Sequence, residues 1–473
     1  MSTLRCYIYS LFFFLVFSLT SSQGADTLTI TLHRSFLTTP KINLTSIDMI
    51  SSEPISIGHV LHQETNQVVL EVVIPGPQFA FLEIDGTFLP LYLEPRRDLQ
   101  LYMGSTDPTS IRFEGPSAIA NGYLAKAHAI RQRAEQSAGR HYTQLSLTEF
   151  TTHLNAVRGQ YERLDQTVLA KTNLADSLKE VLSARNQVSL IFIQQNYVLA
   201  HYGEKLSQVP DPLKAVVQPP LFNSRFVRFK MSEYADIAHI YVSYILRSLL
   251  SSPKMISDST ALAVDRFIQN SPYSLAEKDY LRAKNCYNWL TITGIIPATD
   301  QLITQYKASF PNSFYLSTLA QLYQKWSALA SGQPAPDFYG VTPRGDTLAL
   351  SSLKGKVVYV DVWATWCMPC RAEFPQANQL QQQFSSTPGV VFLYVSIDQN
   401  QVAWKKLLQD DTHLTGIHIN QASVEQAGSL WKPYLLISIP RYILIDQKGR
   451  IVQANADRPS SGKVAAAIQE LML

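Results

Sequence analysis

The spacing of apolar residues changes character three times along the chain. Residues 6–19 form a weakly polar-to-apolar run with Phe12, Phe13, Phe14, Leu15, Val16 and Phe17 at its heart, and Arg5 is the only charged side chain among the first 25. A bilayer span needs about 20 such residues, and this run is shorter. Ser21, Ser22, Gly24 and Ala25 follow it. Small residues after a short apolar run mark a cleavable secretory signal, so residues 1–25 read as a signal cut near Gly24, with an uncleaved anchor as the competing reading. Cys6 leaves with that signal, and the mature chain is expected to be exported and soluble.

From 26 to 116 the pattern alternates with period two, as in Leu28-Thr29-Ile30-Thr31-Leu32 and within 68–74 and 79–84. Such alternation predicts half-buried strands. Pro75-Gly76-Pro77, Asp85-Gly86 and Gly115-Pro116 supply turns between them. A small antiparallel sandwich or barrel is expected. His59 and His62 lie three apart on one expected strand, which places them on opposite faces and argues against a shared metal site.

From 117 to 330 the period becomes helical. Ser146-Leu147-Thr148-Glu149 and Ser274-Leu275-Ala276-Glu277 have the form of capping boxes. Ala238, Tyr241, Val242, Ile245, Leu246 and Leu249 recur at helical spacing, and Cys286 sits among Ala283, Tyr287 and Leu290. That setting reads as a buried, inert thiol. Ser331-Gly332-Gln333-Pro334-Ala335-Pro336 then breaks the pattern. Beyond it, strands expected at 338–341, 347–350, 357–363, 390–397, 441–445 and 451–454 alternate with helices from about Cys370, near 402–409 and at 462–472. Alternation of this kind predicts one α/β domain over 331–473.

Composition narrows the function. A chain of 473 residues suits about three domains. Charged residues are 16% of the chain, below the usual ~25%, so high-charge disorder is excluded. The net charge of +3, from 40 basic and 37 acidic residues, lacks the basic excess that a nucleic-acid partner requires. Four cysteines are too few for a disulfide-stapled scaffold, so each needs its own explanation.

The sharpest chemical signal is Trp363-Ala364-Thr365-Trp366-Cys367-Met368-Pro369-Cys370, at an expected strand-to-helix junction. Free N–H groups at a helix start favour a thiolate on Cys367. The thiolate is the nucleophile of disulfide exchange. Cys370, one turn later, is placed to resolve a mixed disulfide. A purely structural bond in so small a ring constrains the unfolded chain little. A zinc half-site lacks its second ligand pair, because Cys286 is alone and His413 and His418 have no cysteine near them. No metal and no cofactor beyond the Cys367–Cys370 couple is expected.

This segment resembles the TlpA/ResA family of thioredoxin-like envelope thiol–disulfide oxidoreductases. The motifs that carry the resemblance are Gly332-Gln333-Pro334-Ala335-Pro336-Asp337-Phe338, Leu353-Lys354-Gly355-Lys356-Val357-Val358, the Trp-Cys-Met-Pro-Cys stretch, Arg371-Ala372-Glu373-Phe374-Pro375, Ile439-Pro440-Arg441-Tyr442 and Leu444-Ile445-Asp446-Gln447-Lys448-Gly449. The resemblance implies a thioredoxin-like fold, a nucleophilic Cys367, a resolving Cys370 and a cis-proline at Pro440. It also implies that Ile439 pairs with an extended client and that Asp361 or Glu373 accepts the Cys370 proton. Trp366 is expected to supply client-facing surface, and Pro375 to kink the helix. Met368-Pro369 between the cysteines departs from the commoner Gly-Pro or Glu-Pro.

Ile111-Arg112-Phe113-Glu114-Gly115 and Asn121-Gly122-Tyr123-Leu124 look like the front of long, three-part members from Gram-negative envelopes. The expected function is a periplasmic reductase of client disulfides, recharged by a membrane thiol electron donor. A peroxiredoxin-like thiol peroxidase and an envelope binding protein with an accessory redox domain are the alternatives.

Overall fold

Side-chain alternation builds the front of the chain into two sheets. In a computed structural model, which describes residues 26–34, 40–64, 66–104, 107–137, 139–203, 205–217, 224–245, 258–410, 415–423 and 426–473, the strands Thr27–His33 (β1), Ile42–Ile47 (β2), Pro54–Ser56 (β3), Gly58–Gln63 (β4), Gln67–Val73 (β5), Gln78–Ile84 (β6), Thr87–Leu93 (β7), Leu99–Tyr102 (β8) and Arg112–Glu114 (β9) come first. The expected signal segment, Leu246, Leu249 and His413 lie outside the described residues. One sheet runs β4–β5–β1–β8–β9 and the other β3–β2–β6–β7. Leu28, Ile30 and Leu32 from the first share a core with Leu44, Leu82 and Leu91 from the second, so the two sheets are layers of a sandwich. It is not wholly antiparallel: β1 and β8 pair parallel, because the chain crosses to the other sheet before β8 returns beside β1.

His59 and His62 do not take opposite faces as the regular alternation of a strand predicts. A bulge between Val60 and His62 sets His59 opposite Glu71 and His62 opposite Val69. Glu71 and Val69 are two apart on β5, so the bulge brings both histidines to one face. Among the described residues no group of three or more potential ligands could hold a metal ion.

The chain parts into two compact units. The first takes the described residues up to Met49, Glu53–Ile193 and Arg225–Tyr234, and the second takes Ile50–Ser52, Gln194–Ser224 and Ala235–Leu473. In the first, Ala118–Ala134 (α1) is fastened to β7 by buried Asn121, whose side chain accepts from the Tyr92 N–H at 2.8 Å and donates to the Tyr92 carbonyl at 2.9 Å. Leu147–Thr167 (α2) begins at the Ser146–Glu149 capping box, and Asp176–Tyr202 (α3) runs on into the second unit. Buried Glu233 takes Arg185 at 2.6 Å and Arg131 at 3.0 Å.

In the second unit the helices are Ser232–Ile240 (α4, which begins in the first unit and passes into a π-helical turn at Tyr241–Ile245), Asp258–Asn270 (α5), Leu275–Thr293 (α6), Pro297–Ser309 (α7) and Leu316–Ser327 (α8). The Ser274–Glu277 capping box starts α6. A seven-stranded sheet follows, made of Tyr339–Val341 (β10), Thr347–Ala349 (β11), Val357–Trp363 (β12), Val390–Ser396 (β13), Ile417–Asn420 (β14), Arg441–Ile445 (β15) and Ile451–Gln453 (β16). Its order is β11–β10–β14–β13–β12–β15–β16. Every residue of β12 is buried, as expected for an interior strand covered on both faces. Met368–Arg371 (α9), Phe374–Gln383 (α10), Gln401–Asp410 (α11) and Val464–Leu471 (α12) complete it.

The Ser331–Pro336 break is not a free linker. Gly332 N–H donates to the Ile451 carbonyl at 2.7 Å, Ile451 N–H to the Gln333 carbonyl at 2.8 Å and Ala335 N–H to the Gly449 carbonyl at 2.9 Å. No helix among the described residues is long and apolar enough to cross a membrane.

Candidate active site

β12 ends at Trp363, and the chain turns through Ala364, Thr365 and Trp366 before α9 begins. Cys367 caps α9 and is bonded to Cys370 through a disulfide with a Cα–Cα separation of 5.3 Å. Cys370 N–H points at the Cys367 sulfur at 3.2 Å. Such a donor stabilises negative charge on that sulfur once the bond is reduced. The helix offers little more than this, because α9 is one turn long. Pro375 has no N–H to give the Arg371 carbonyl, so α10 starts anew at Phe374. Cys367 is 5% exposed and Cys370 0%, while Trp366 and Met368 beside them are 66% and 71% exposed. Of the two cysteines only the first keeps any exposure, and its exposed neighbours are apolar.

The cysteine loop is held by a carboxylate that sequence reasoning did not single out. Buried Asp398 accepts from Thr365 N–H at 2.9 Å, from Thr365 Oγ1 at 2.6 Å and from Ser396 Oγ at 2.8 Å. Asn420 Nδ2 donates to the Asp398 carbonyl and to Ser396 Oγ, each at 3.0 Å. Ser396, Asp398 and Asn420 stand at or just past the ends of the parallel strands β13 and β14. Polar residues at the carboxyl ends of parallel strands are the available sequence signal for such a role, but β14 is too short to stand out beforehand. His418 lies in β14 stacked on Tyr394 at 4.8 Å.

Two buried carboxyl groups, Asp361 and Glu373, feel each other's charge. Asp361 is fully buried on β12, and neither of its oxygens has a hydrogen-bond partner among the described residues. Burial first, and the Glu373 charge second, push its carboxyl well above the usual carboxylate range. Glu373 is also buried, but Ser460 holds it: the N–H donates to Oε2 at 3.0 Å and the hydroxyl to Oε1 at 2.8 Å. Nothing local in the sequence marks Ser460, which is separated from Glu373 by 87 positions.

The Ile439–Pro440 bond is cis. Ile439 packs against the cluster that contains Cys367, Cys370, Trp363 and Phe374. Arg441 pairs with Val362, so this peptide bond comes where β12 runs into the cysteine loop. The fold therefore brings the two cysteines and Ile439 into one cluster, sets the two carboxyls against each other electrically, and leaves Trp366 at the surface. Arg441 is 6% exposed, and desolvation pushes its guanidinium down to about 10, so it stays charged at neutral pH. Cys286 is outside the site, and burial drives its thiol up, away from the reactive thiolate form.

Residues 330–469 match the Redoxin family. The chain is 30% identical over 138 residues to the thiol-disulfide oxidoreductase ResA of Bacillus cereus, a match covering 29% of this chain and 76% of that protein. It is 32% identical over 135 residues to the thioredoxin-like protein YneN of Bacillus subtilis, covering 28% and 76%. Among solved structures, the thioredoxin domain of a thiol-disulfide oxidoreductase from Bacteroides vulgatus is 27% identical, covers 30% of this chain and 99% of that one, and has a TM-score of 0.27. Through its Redoxin region, the chain belongs to the ResA-like thiol–disulfide oxidoreductases, and it is an enzyme of that class.

Proposed function

We propose that the chain is an exported envelope enzyme that reduces disulfides of client proteins in the periplasm, with residues 331–473 as its catalytic module and 26–116 and 117–330 as its front regions. The observation that carries this reading is the asymmetry of the couple: Cys367 keeps 5% exposure beside the exposed Trp366 and Met368, and Cys370 keeps none. The N-terminal run at 6–19 supports export.

In the reduced enzyme the Cys367 thiolate attacks one sulfur of a client disulfide. The client S–S bond breaks, one client thiolate leaves, and a Cys367–client bond forms. Cys370 then gives up its proton and attacks the Cys367 sulfur, releasing the second client thiolate and closing the Cys367–Cys370 bond. Two electrons have passed to the client. A membrane thiol donor, itself oxidised to a disulfide, restores the dithiol. Of Asp361 and Glu373, Glu373 is the proton acceptor for Cys370, because burial keeps the Asp361 carboxyl protonated. Ile439 and Pro440 present backbone to an extended client segment, and Trp366 supplies apolar contact.

Insulin-disulfide reduction by the full chain tests this. Cys367→Ser is expected to lower the rate at least about 100-fold, and Cys370→Ala to accumulate a mixed disulfide on Cys367. Full activity of Cys367→Ser would end the reading.

A further inference from the structure

Ile439 and Pro440 immediately precede β15, and Arg441, the first residue of that strand, is a buried cation. The Arg441 Nη1 donates to the Ile292 carbonyl at 3.3 Å, and its guanidinium carbon lies 5.3 Å from the centre of the Trp326 ring. Ile292 is in the last turn of α6, where carbonyls have no partner inside the helix and a positive charge is favoured. Asn455 Nδ2 donates to the same carbonyl at 3.2 Å. Trp326, on α8, is seated in turn on the end of α6. Gly294 caps that helix at φ +72°, and a Cβ there would come within 2.7 Å of the Trp326 ring. Gly294, Trp326 and Arg441 thus pack in sequence, from the helices to the start of β15.

The arrangement is costly if filling space is its only purpose. Nε and Nη2 of Arg441 are buried and find no partner among the described residues. Unpaired buried donors destabilise a fold, and an apolar side chain of similar volume usually fills such a place as well or better. What an apolar chain cannot do is hold a helix-end carbonyl and the residue after Pro440 in one register.

We infer that Arg441 is a positioning residue for client binding: it ties the Ile439–Pro440 edge to the ends of α6 and α8, making those helices part of the device that presents this edge. The inference rests on the reading that Ile439 and Pro440 present backbone to the client.

The test uses the full chain with insulin as the disulfide substrate. Arg441→Met is expected to raise KM about tenfold while kcat falls less than about twofold, the signature of lost binding rather than lost chemistry. Its unfolding midpoint, read by tryptophan fluorescence, is expected to hold or rise. Arg441→Lys keeps one donor and the charge, and is expected to recover at least half of the lost KM. Should Arg441→Met not fold, Asn455→Ala, an exposed side chain, is expected to raise KM about threefold. An unchanged KM in Arg441→Met, or in Asn455→Ala where that variant is needed, overturns the inference. So does a KM rise that Arg441→Lys leaves unrecovered. Active Cys367→Ser protein would instead overturn the underlying reading, so the two failures are distinguishable.

Discussion

Asp361 and Glu373 are the same chemical group in two environments, and the difference decides what each contributes. Glu373 has two donors from Ser460; Asp361 is fully buried and has none among the described residues. An acid whose folded pKa is raised binds more protons folded than unfolded. Its contribution to stability is fully present below the ordinary value of 3.8 and is lost as pH climbs through the raised folded value. Asp361→Asn carries no such proton. The oxidised variant is therefore expected to gain stability over the native protein as pH rises across that window, measured by chemical denaturation at pH about 4 and about 8. A difference independent of pH would show that the carboxyl is not held neutral. Asp361 was legible from the resemblance and Glu373 likewise. Their separate states were not, because burial and a donor 87 positions away are set by packing.

At the scale of elements, strong local signals survived into the structure and weak ones did not. The apolar run Val357–Trp363 is an interior strand buried along its whole length, and both capping boxes formed. Each is self-contained: the Ser274 side chain accepts from Glu277 N–H, while Glu277 Oε2 accepts from Ser274 N–H at 2.7 Å. Ser274→Ala is expected to cost about 1 kcal/mol, seen as a lower denaturation midpoint by tryptophan fluorescence. A change below about 0.3 kcal/mol would mean that tertiary packing alone holds the start of α6. β14, the parallel β1–β8 pair and the bulge in β4 were not legible. A short strand takes its state from the neighbour it pairs with, and register shifts belong to two strands at once.

Over the whole molecule, tryptophan is distributed unevenly between the two units. Trp289, Trp326, Trp363, Trp366, Trp404 and Trp431 account for all six tryptophans, and all belong to the second unit. The buried Glu233 with Arg131 and Arg185 belongs to the first. Glu233→Ala leaves two guanidinium groups without their anion, a loss of about 3–5 kcal/mol. The circular-dichroism transition is expected to move to lower denaturant, while the tryptophan transition moves much less. Equal movement of both would show that the units unfold as one.

By itself, the sequence determined the periodicities, the caps, the cysteine spacing and, through several ordered motifs, the family. Those features depend on residues near one another in the chain or on a pattern repeated within one element. Only the tertiary structure decided that Asp398 holds the cysteine loop, that Ser460 holds Glu373, and that Arg441 joins the end of a helix to the residue after Pro440. Each of those contacts links residues 33 to 149 positions apart. No local propensity encodes such pairs; they arise when burying apolar faces brings distant polar groups together and each must find a partner or remain costly.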